Sequence, residues 1–185
     1  MPLRRLVLVV GAVVLVPVLV VLVWWWVRGD DLPASQGRFL DAVSSIQERA
    51  RSATDVQLVQ AREDRATRLC AGQRSAGIAR PELSVQGWVG TAQDIGTERD
   101  DVGTLRLELD HDVTLVVDGS GGGGVTPGSQ LFRALSKVDD GDEVTFGGRF
   151  VRDPDTCVSE RSLRLVNSLR TPDFDFVLTS ISPRG

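Results

Sequence analysis

The order of apolar and polar positions divides the chain into three parts. Residues 6–27 form one apolar run without a charged side chain. Helical spacing of apolar residues follows this run, and from about residue 84 apolar and polar residues alternate with a period of two, which is typical of half-buried strands. The pattern predicts a single transmembrane helix, a helical neck over residues 32–72 and a small all-β domain over residues 84–182.

The apolar run at residues 6–27 is long enough to cross a bilayer as a helix. About 22 residues, rising 1.5 Å each, reach about 33 Å, and a typical hydrocarbon core is about 30 Å thick. A cleaved signal peptide is the alternative. Its apolar region is normally about 7 to 15 residues long and ends in a cleavage site of small residues. The longer run, which ends in bulky tryptophan, favours a retained anchor.

The flanks of the run predict its orientation. The short tip at residues 1–5 carries two arginines, which favour a cytoplasmic N-terminus, and three tryptophans near the far end suit a membrane interface. The predicted interface residues are Arg4, Arg5, Trp24, Trp25 and Trp26. We therefore expect a single-pass protein of the cytoplasmic (inner) membrane, with the lipid bilayer as one partner and the C-terminal domain outside.

Two helices are predicted in the neck. Apolar residues recur at steps of four, three and four, which predicts a first helix over about residues 35–51; they are Phe39, Val43, Ile46 and Ala50. Thr54 and Gln57 match a capping box at the start of a second helix. The apolar side of this second helix is predicted to consist of Val56, Val59, Ala66 and Leu69. No heptad pattern persists, so we expect a stalk or a lid rather than a coiled coil.

The C-terminal part predicts strands separated by turns and one helix. Strands are predicted over residues 85–90, 105–109, 113–117, 144–150, 162–166 and 174–181. A short helix over residues 129–135 lies between the third and fourth of these strands. The glycine-rich segment at residues 119–124 predicts a mobile loop, because glycine leaves the backbone great conformational freedom.

This order of elements resembles the OB-fold, a small Greek-key barrel with a helix between its third and fourth strands. The sequences VQGWVG at residues 85–90 and GDEVTFGGRF at residues 141–150 resemble the first and fourth strands of OB-fold domains, including the group similar to tRNA-anticodon-binding domains. The chain also resembles membrane-anchored bacterial envelope proteins in which helices precede such a barrel. The resemblance covers residues 85–182 and implies a fold but no activity.

The two cysteines, Cys70 and Cys157, predict a disulfide bond. An even pair in a compartment outside the cytoplasm is typically oxidised, and a metal site needs more ligands than two cysteines and a single histidine provide. Two buried thiols are the alternative. A bond between these positions would close a long loop and restrict the unfolded chain.

The charge distribution disfavours nucleic-acid binding. The chain has a net charge of −4, and residues 85–185 hold ten basic and 17 acidic side chains. Nucleic-acid-binding OB-folds use a cationic groove and stacked aromatic rings on their second and third strands. Here those strands carry Arg106 and Glu108 and no aromatic residue. Trp88 is the best stacking candidate, although a tryptophan in the first strand is more often part of the core.

No residue pattern predicts catalysis, a cofactor or a metal. His111, the single histidine, is expected in an exposed turn between Asp110 and Asp112 rather than as a general base, and no G-x-S-x-G motif is present. The acidic clusters lack the spacing of a calcium-binding loop.

We therefore expect a tethered binding or assembly module without catalysis, whose partner is an envelope protein or a small ligand of basic or cationic character. The candidate binding surface consists of Trp88, Arg106, Glu108, Gly121, Gly122 and Gly123. The alternatives are an accessory enzyme of envelope polymer metabolism and a protein that binds single-stranded nucleic acid.

Overall fold

A computed structural model describes residues 32–71, 83–120 and 122–184, which belong to one compact unit beginning at Leu32. The predicted tip at residues 1–5, the predicted span at residues 6–27 and Gly121 lie outside the described residues. The same holds for the predicted membrane-interface residues Arg4, Arg5, Trp24, Trp25 and Trp26. Within the described ranges, no helix is both long and apolar enough to cross a membrane.

The described residues of this unit form four helices and seven strands. The helices are α1 (Ala34–Ala50), α2 (Asp55–Ala71), α3 (Gln130–Leu135) and α4 (Leu165–Arg170). The strands are β1 (Ser84–Thr97), β2 (Gly103–Leu109), β3 (Val113–Val117), β4 (Glu143–Phe150), β5 (Arg152–Asp153), β6 (Cys157–Val158) and β7 (Asp173–Pro183). A single 3₁₀ turn, Arg99–Asp101, links β1 to β2.

Five of these strands close into a barrel in the order β1, β2, β3, β7, β4 and back to β1. The long strand β1 pairs with β2 through residues 91–97 and with β4 through residues 84–91. Strands β3 and β7 are parallel, and the other neighbours are antiparallel. With α3 between β3 and β4, this arrangement is consistent with an OB-like fold, which confirms the predicted small β-barrel with a short helix.

Aromatic rings fill the barrel and continue into α1. The centroids of the Phe39 and Trp88 rings lie 5.2 Å apart, and Phe39 also contacts Phe150 at 5.2 Å and Phe174 at 5.8 Å. All four side chains are at most 1% exposed. Tilted and edge-to-face contacts at these distances are favourable for aromatic pairs. Helix α1 is therefore a lid whose apolar face completes the barrel core.

Polar side chains of α1 also hold the first strand. The Gln36 amide donates to the Val89 carbonyl oxygen at 2.6 Å and accepts from the Val89 N–H at 2.8 Å. The Trp88 indole N–H donates to the Ser35 hydroxyl at 3.0 Å. These contacts lie next to a register shift between β1 and β4 at Val85 and Trp88. Gln36 thus satisfies backbone groups that a partner strand would otherwise bind.

The predicted apolar face of α2 is wrong at Val56 and Val59. Val56 is 80% exposed and Val59 is 52% exposed, although Leu69 is buried as expected. The buried face instead consists of Leu58, Ala61, Arg65 and Leu69. Arginine is rarely buried without a partner, and so its presence on the inner face hid the true periodicity. The predicted role of Gln57 is confirmed, because its side-chain oxygen accepts from the Thr54 N–H at 2.8 Å.

The predicted strand at residues 162–166 is also wrong, because helix α4 begins at Leu165. Leu169 of α4 is buried in a small cluster with Ile46 and Leu58, and Leu165 packs against the same cluster. A short apolar segment does not distinguish strand from helix by its pattern alone, and here packing against α1 and α2 decides. The hairpin formed by β5 and β6 precedes this region and was not predicted.

The predicted disulfide bond between Cys70 and Cys157 is confirmed, with the two Cα atoms 5.4 Å apart. It joins the end of α2 to β6 across a sequence separation of 87 residues. The bond therefore ties the helical lid to the hairpin formed by β5 and β6.

Replacing Phe39 by Ala should destabilise the whole barrel. A buried phenylalanine reduced to alanine typically costs about 3–5 kcal/mol of the free energy of unfolding, because contacts are lost and a cavity remains. The exposed Val56→Ala variant is the control and should change stability by less than about 0.5 kcal/mol. Urea unfolding followed by tryptophan fluorescence measures both. A Phe39→Ala barrel as stable as the Val56→Ala barrel would identify α1 as a detached stalk.

Removing the disulfide bond should also destabilise the fold. In the loop-entropy model, a bond closing a loop of this length contributes about 4–5 kcal/mol. We expect a lower melting temperature for the Cys70→Ser/Cys157→Ser variant, and no further decrease when reductant is added to it. Titration of denatured, unreduced wild-type protein should find no reactive thiol. Two reactive thiols in that titration would contradict the bond.

Candidate binding site

A groove of about 610 Å³ crosses the barrel surface where β2, the turn after it, β3, α4 and the start of β7 meet. Its polar lining includes Arg106, Glu108, His111, Asp112, Asn167 and Asp173. Strand β2 places Arg106 and Glu108 on its outward side, because Leu105, Leu107 and Leu109 between and beside them point into the core. The alternation of the strand therefore determines which side chains reach the groove.

A buried amide of α1 positions the turn at one end of the groove. The Gln47 side chain is 6% exposed and donates to the carbonyl oxygens of His111 at 2.6 Å and Arg170 at 3.0 Å. His111 and Asp112 both have left-handed backbone conformations, with φ of 63° and 55°. Histidine and aspartate tolerate this region better than most residues. Gln47 thus connects the lid, the hairpin turn and the end of α4.

The groove is acidic. Three carboxylates line it, those of Glu108, Asp112 and Asp173, against the single guanidinium of Arg106. Arg106 is already paired, with Nη2 3.0 Å from an oxygen of Asp173 and Nε 3.8 Å from an oxygen of Asp94. Its charge is therefore largely compensated. Glu108 and Asp112 are exposed and form no ion pair among the described residues, so they are available to a cation.

The structure brings together only part of the predicted binding surface. Arg106 and Glu108 lie side by side in the groove, and the turn that contains His111 adjoins them. Trp88 is fully buried in the core, which is the role that the sequence analysis favoured over stacking. The described glycines Gly122 and Gly123 do not line the groove, and Gly123 lies against β7.

The second half of the glycine-rich segment is closely packed. The Gly123 N–H donates to the Asp118 carbonyl oxygen at 3.1 Å. A Cβ atom built on Gly123 would lie 2.4 Å from the Phe176 carbonyl oxygen, which is closer than Cβ atoms approach other heavy atoms in proteins. Glycine is therefore needed at position 123 for close approach to β7.

A second polar cluster holds this segment to the barrel. Arg161 donates through Nε to Asp175 at 2.5 Å and through Nη2 to Asp118 at 2.5 Å. Ser120 donates to Asp118 at 2.8 Å, and Ser159 donates to Asp175 at 2.6 Å. Burial alone would raise the pKa of the Asp118 carboxyl, but hydrogen bonds from Arg161 and Ser120 outweigh burial and hold the pKa below its ordinary value.

A third cluster lies under α2. Arg65 is 3% exposed and donates to the Ser168 carbonyl oxygen at 2.6 Å, to the Ser168 hydroxyl at 3.1 Å and to the carboxylate of Glu160. Its guanidinium also lies 5.7 Å from the centre of the Phe174 ring, a cation–π distance. Burial raises the pKa of the Glu160 carboxyl, and the charge of Arg65 only partly opposes this shift.

Sequence reasoning missed both arginine clusters. Glu160 and Arg161 are adjacent in the chain, but their partners lie 95 positions away at Arg65 and 43 positions away at Asp118. No local sequence pattern predicts ion pairs between residues so far apart in the chain. The sequence offered one indirect signal. An arginine on the inner face of a helix implies a buried anion elsewhere in the chain.

Comparisons of the chain with protein-family models, with curated proteins and with solved structures found no match. The fold and the groove by themselves define an OB-like barrel closed by a helical lid, with an acidic recess on β2 and β3. Among residues 32–71, 83–120 and 122–184, no group of three or more histidine, cysteine, aspartate or glutamate side chains is arranged to hold a metal ion.

Replacing Asp118 by Asn should reduce the loss of stability in acid. The pKa of Asp118 is lower in the folded state than in the unfolded chain, where it is about 3.9. The charged carboxylate therefore stabilises the fold above that pH, and this contribution is lost as the pH falls through the folded-state pKa. Between about pH 6 and about pH 3, the free energy of unfolding should fall by about 1 kcal/mol less in Asp118→Asn than in the wild type.

Urea titrations at the two pH values measure this difference. Glu160 acts in the opposite sense, because its raised pKa makes protonation favour the folded state, but this effect is common to both proteins. Asp155→Asn removes an exposed carboxylate that accepts no hydrogen bond among the described residues, and it should retain the full wild-type acid dependence. Equal acid dependence in Asp118→Asn and the wild type would contradict the assignment.

Proposed function

We propose that this protein is a membrane-tethered binding or assembly module without catalysis, which presents the acidic groove to a basic partner outside the cytoplasm. The observation that carries the proposal is the groove itself, in which Glu108 and Asp112 are unpaired among the described residues while Arg106 is neutralised by Asp173. A recess with surplus negative charge attracts cationic groups and repels anionic ones.

The shape and the chemistry of the groove support a protein segment or a small polar ligand. The groove volume of about 610 Å³ falls within the range of about 300–1,000 Å³ that is usual for ligand sites. Apart from Leu109 and Val113, the residues that line it are polar or charged. A lysine- or arginine-containing segment of an envelope protein combines the required charge with hydrogen-bond donors.

The tether is the second part of the proposal. An apolar run at residues 6–27, with Arg4 and Arg5 before it, favours an N-terminal anchor in the inner membrane with the barrel outside. The bond between Cys70 and Cys157 supports an oxidising compartment. An anchored module needs only weak contacts, because confinement to the membrane raises its effective concentration toward other anchored proteins. The resemblance to anticodon-binding-like domains and to envelope proteins also remains part of this proposal.

Nucleic-acid binding is the less favoured alternative. No phenylalanine, tyrosine or tryptophan lines the groove, whereas single-stranded nucleic acid requires stacking platforms and a cationic track. The surplus of carboxylates would repel phosphates.

An accessory enzyme has one observation in its favour. His111 lines the groove next to Asp112, and a histidine beside a carboxylate is a common general base. No nucleophile motif accompanies it in the sequence. The binding proposal gives His111 no chemical role, and so the two functions differ in what they expect of a His111 variant.

Binding of defined peptides tests the groove. We expect the full-length protein in nanodiscs to bind fluorescent octalysine and not octaglutamate in an anisotropy titration. The Glu108→Gln/Asp112→Asn variant should bind octalysine roughly three- to tenfold more weakly, since each exposed charge pair contributes up to about 1 kcal/mol. Asparagine at position 112 tolerates the left-handed backbone of the turn.

The matched control is Asp41→Asn/Glu63→Gln, which removes the same charge from exposed sites on α1 and α2 outside the groove. It should bind octalysine like the wild type. His111→Asn should also leave binding unchanged. If the control variant and the groove variant lose octalysine affinity equally, the effect is one of net charge and the groove is not the binding site. Tighter binding of oligothymidine than of octalysine would favour the nucleic-acid alternative. Loss of an envelope-processing activity in His111→Asn cells, with octalysine binding intact, would favour the enzyme.

A further inference from the structure

A smaller pocket, separate from the acidic groove, lies where α2, the β5–β6 hairpin and α4 meet. It has a volume of about 260 Å³, and its lining includes three charged side chains, Arg62, Asp153 and Glu160, together with Ser162, Leu163, Leu165 and Ser168. This volume is slightly below the range usual for drug-sized ligands, so the pocket suits one small molecule. Ser162 lines both the pocket and the groove, whereas Glu108 and Asp112 line only the groove.

The carboxylate of Glu160 has one oxygen that lacks a hydrogen-bond donor. Oε2 accepts from Arg65, but Oε1 is buried and accepts no hydrogen bond among the described residues. The Glu160 side chain is 10% exposed. The Ser168 hydroxyl interacts with the Glu160 carboxyl and lowers its pKa, against the larger effect of burial, and it accepts from Arg65 at 3.1 Å, but it forms no hydrogen bond with Oε1. A buried carboxylate oxygen without a hydrogen-bond partner is rare, and a ligand or a water molecule would supply the missing donor.

The pocket also contains a positively charged side chain. Arg62 lines the same recess, is exposed, and forms no hydrogen bond or close ion pair with the described residues, although it lies near enough to Asp153 and Glu160 to act on their carboxyls electrostatically. Its guanidinium would repel a ligand that carried only a positive charge. A molecule that donates to Glu160 and also carries a carboxylate satisfies both groups at once, because a guanidinium binds carboxylates through paired hydrogen bonds.

Apolar side chains supply the third feature. Leu163 is fully exposed, and it lines the pocket together with Leu165. Leu163 is one of three large apolar side chains that are exposed in the described residues, and neither of the other two lies at this pocket. A ligand with an apolar side chain would cover this surface and remove it from water.

We propose that this pocket binds a free α-amino acid with an apolar side chain. The ammonium group donates to Glu160 Oε1, the carboxylate pairs with Arg62, and the side chain packs on Leu163 and Leu165. The site stands apart from the groove function, so the failure of one leaves the other in place. A water molecule bound to Glu160 Oε1 is the competing explanation of the bare oxygen.

Isothermal titration calorimetry on the full-length protein in nanodiscs tests the proposal with three ligands of matched shape. Leucine carries both charged groups, 4-methylpentanoate lacks the ammonium group, and 3-methylbutylamine lacks the carboxylate. We expect leucine to bind, and each analogue to bind at least about tenfold more weakly, because each loses one charge-assisted interaction. No heat of binding with leucine, or equal binding of leucine and both analogues, would overturn the proposal and leave only water at Glu160.

Substitutions test which residue binds the carboxylate of the ligand and which binds its ammonium group. Arg62→Gln should weaken leucine binding at least about tenfold and leave the weak binding of 3-methylbutylamine unchanged. Arg38→Gln, which changes an exposed arginine of α1 away from the pocket, is the matched control and should bind leucine like the wild type.

Glu160→Gln should weaken leucine and 3-methylbutylamine alike. Because this change leaves Arg65 without its buried anion and can destabilise the fold, Leu163→Ser provides an independent test at an exposed position. It should weaken leucine binding but leave glycine binding unchanged. Leucine binding that survives Arg62→Gln and Leu163→Ser undiminished would place the ligand elsewhere and refute the assignment.

Discussion

The packing of helix α1 on the barrel is the contact on which the rest of this structure depends. Phe39 enters an aromatic cluster with Trp88, Phe150 and Phe174, and all of these rings are withdrawn from water. Burial of apolar surface is the main driving force for such packing. With Phe39 packed in this cluster, polar residues of the same helix contact different parts of the barrel. Gln36 binds β1, and Gln47 binds the turn between β2 and β3.

The extended segment at residues 159–161 distributes its side chains to two sides, as alternation along an extended chain requires. Glu160 reaches Arg65 under α2, and Arg161 reaches Asp118 and Asp175 beside the glycine-rich segment. Its backbone is held by β7, with the Arg161 N–H donating to the Asp173 carbonyl oxygen at 2.9 Å. This segment therefore joins the lid, the barrel and the loop.

Much of the fold could be predicted from local pattern because period-two alternation directly reflects which side of a strand is buried. Strands β2, β3, β4 and β7 and helix α3 all follow that signal or a clear cap, such as the Ser129 hydroxyl that accepts from the Phe132 N–H at 3.0 Å. The pattern failed where a charged residue was buried or an apolar segment was short. Arg65 concealed the inner face of α2, and residues 162–166 were assigned to a strand although α4 begins there. At the site, Arg106 and Glu108 were predicted, but their grouping with Asp112 and Asp173 was not.

The sequence by itself determined the strand faces, the two long helices and the acidic character of the C-terminal domain, because each of these depends on neighbouring residues or on composition alone. It also left one natural pairing for its two cysteines, which the fold brings together. Only the tertiary structure decided which polar groups are buried and paired, where the groove and the pocket lie, and that α1 forms part of the core. Those features depend on contacts between residues dozens of positions apart, and the free energy of such contacts is set by burial and geometry that a linear pattern does not contain.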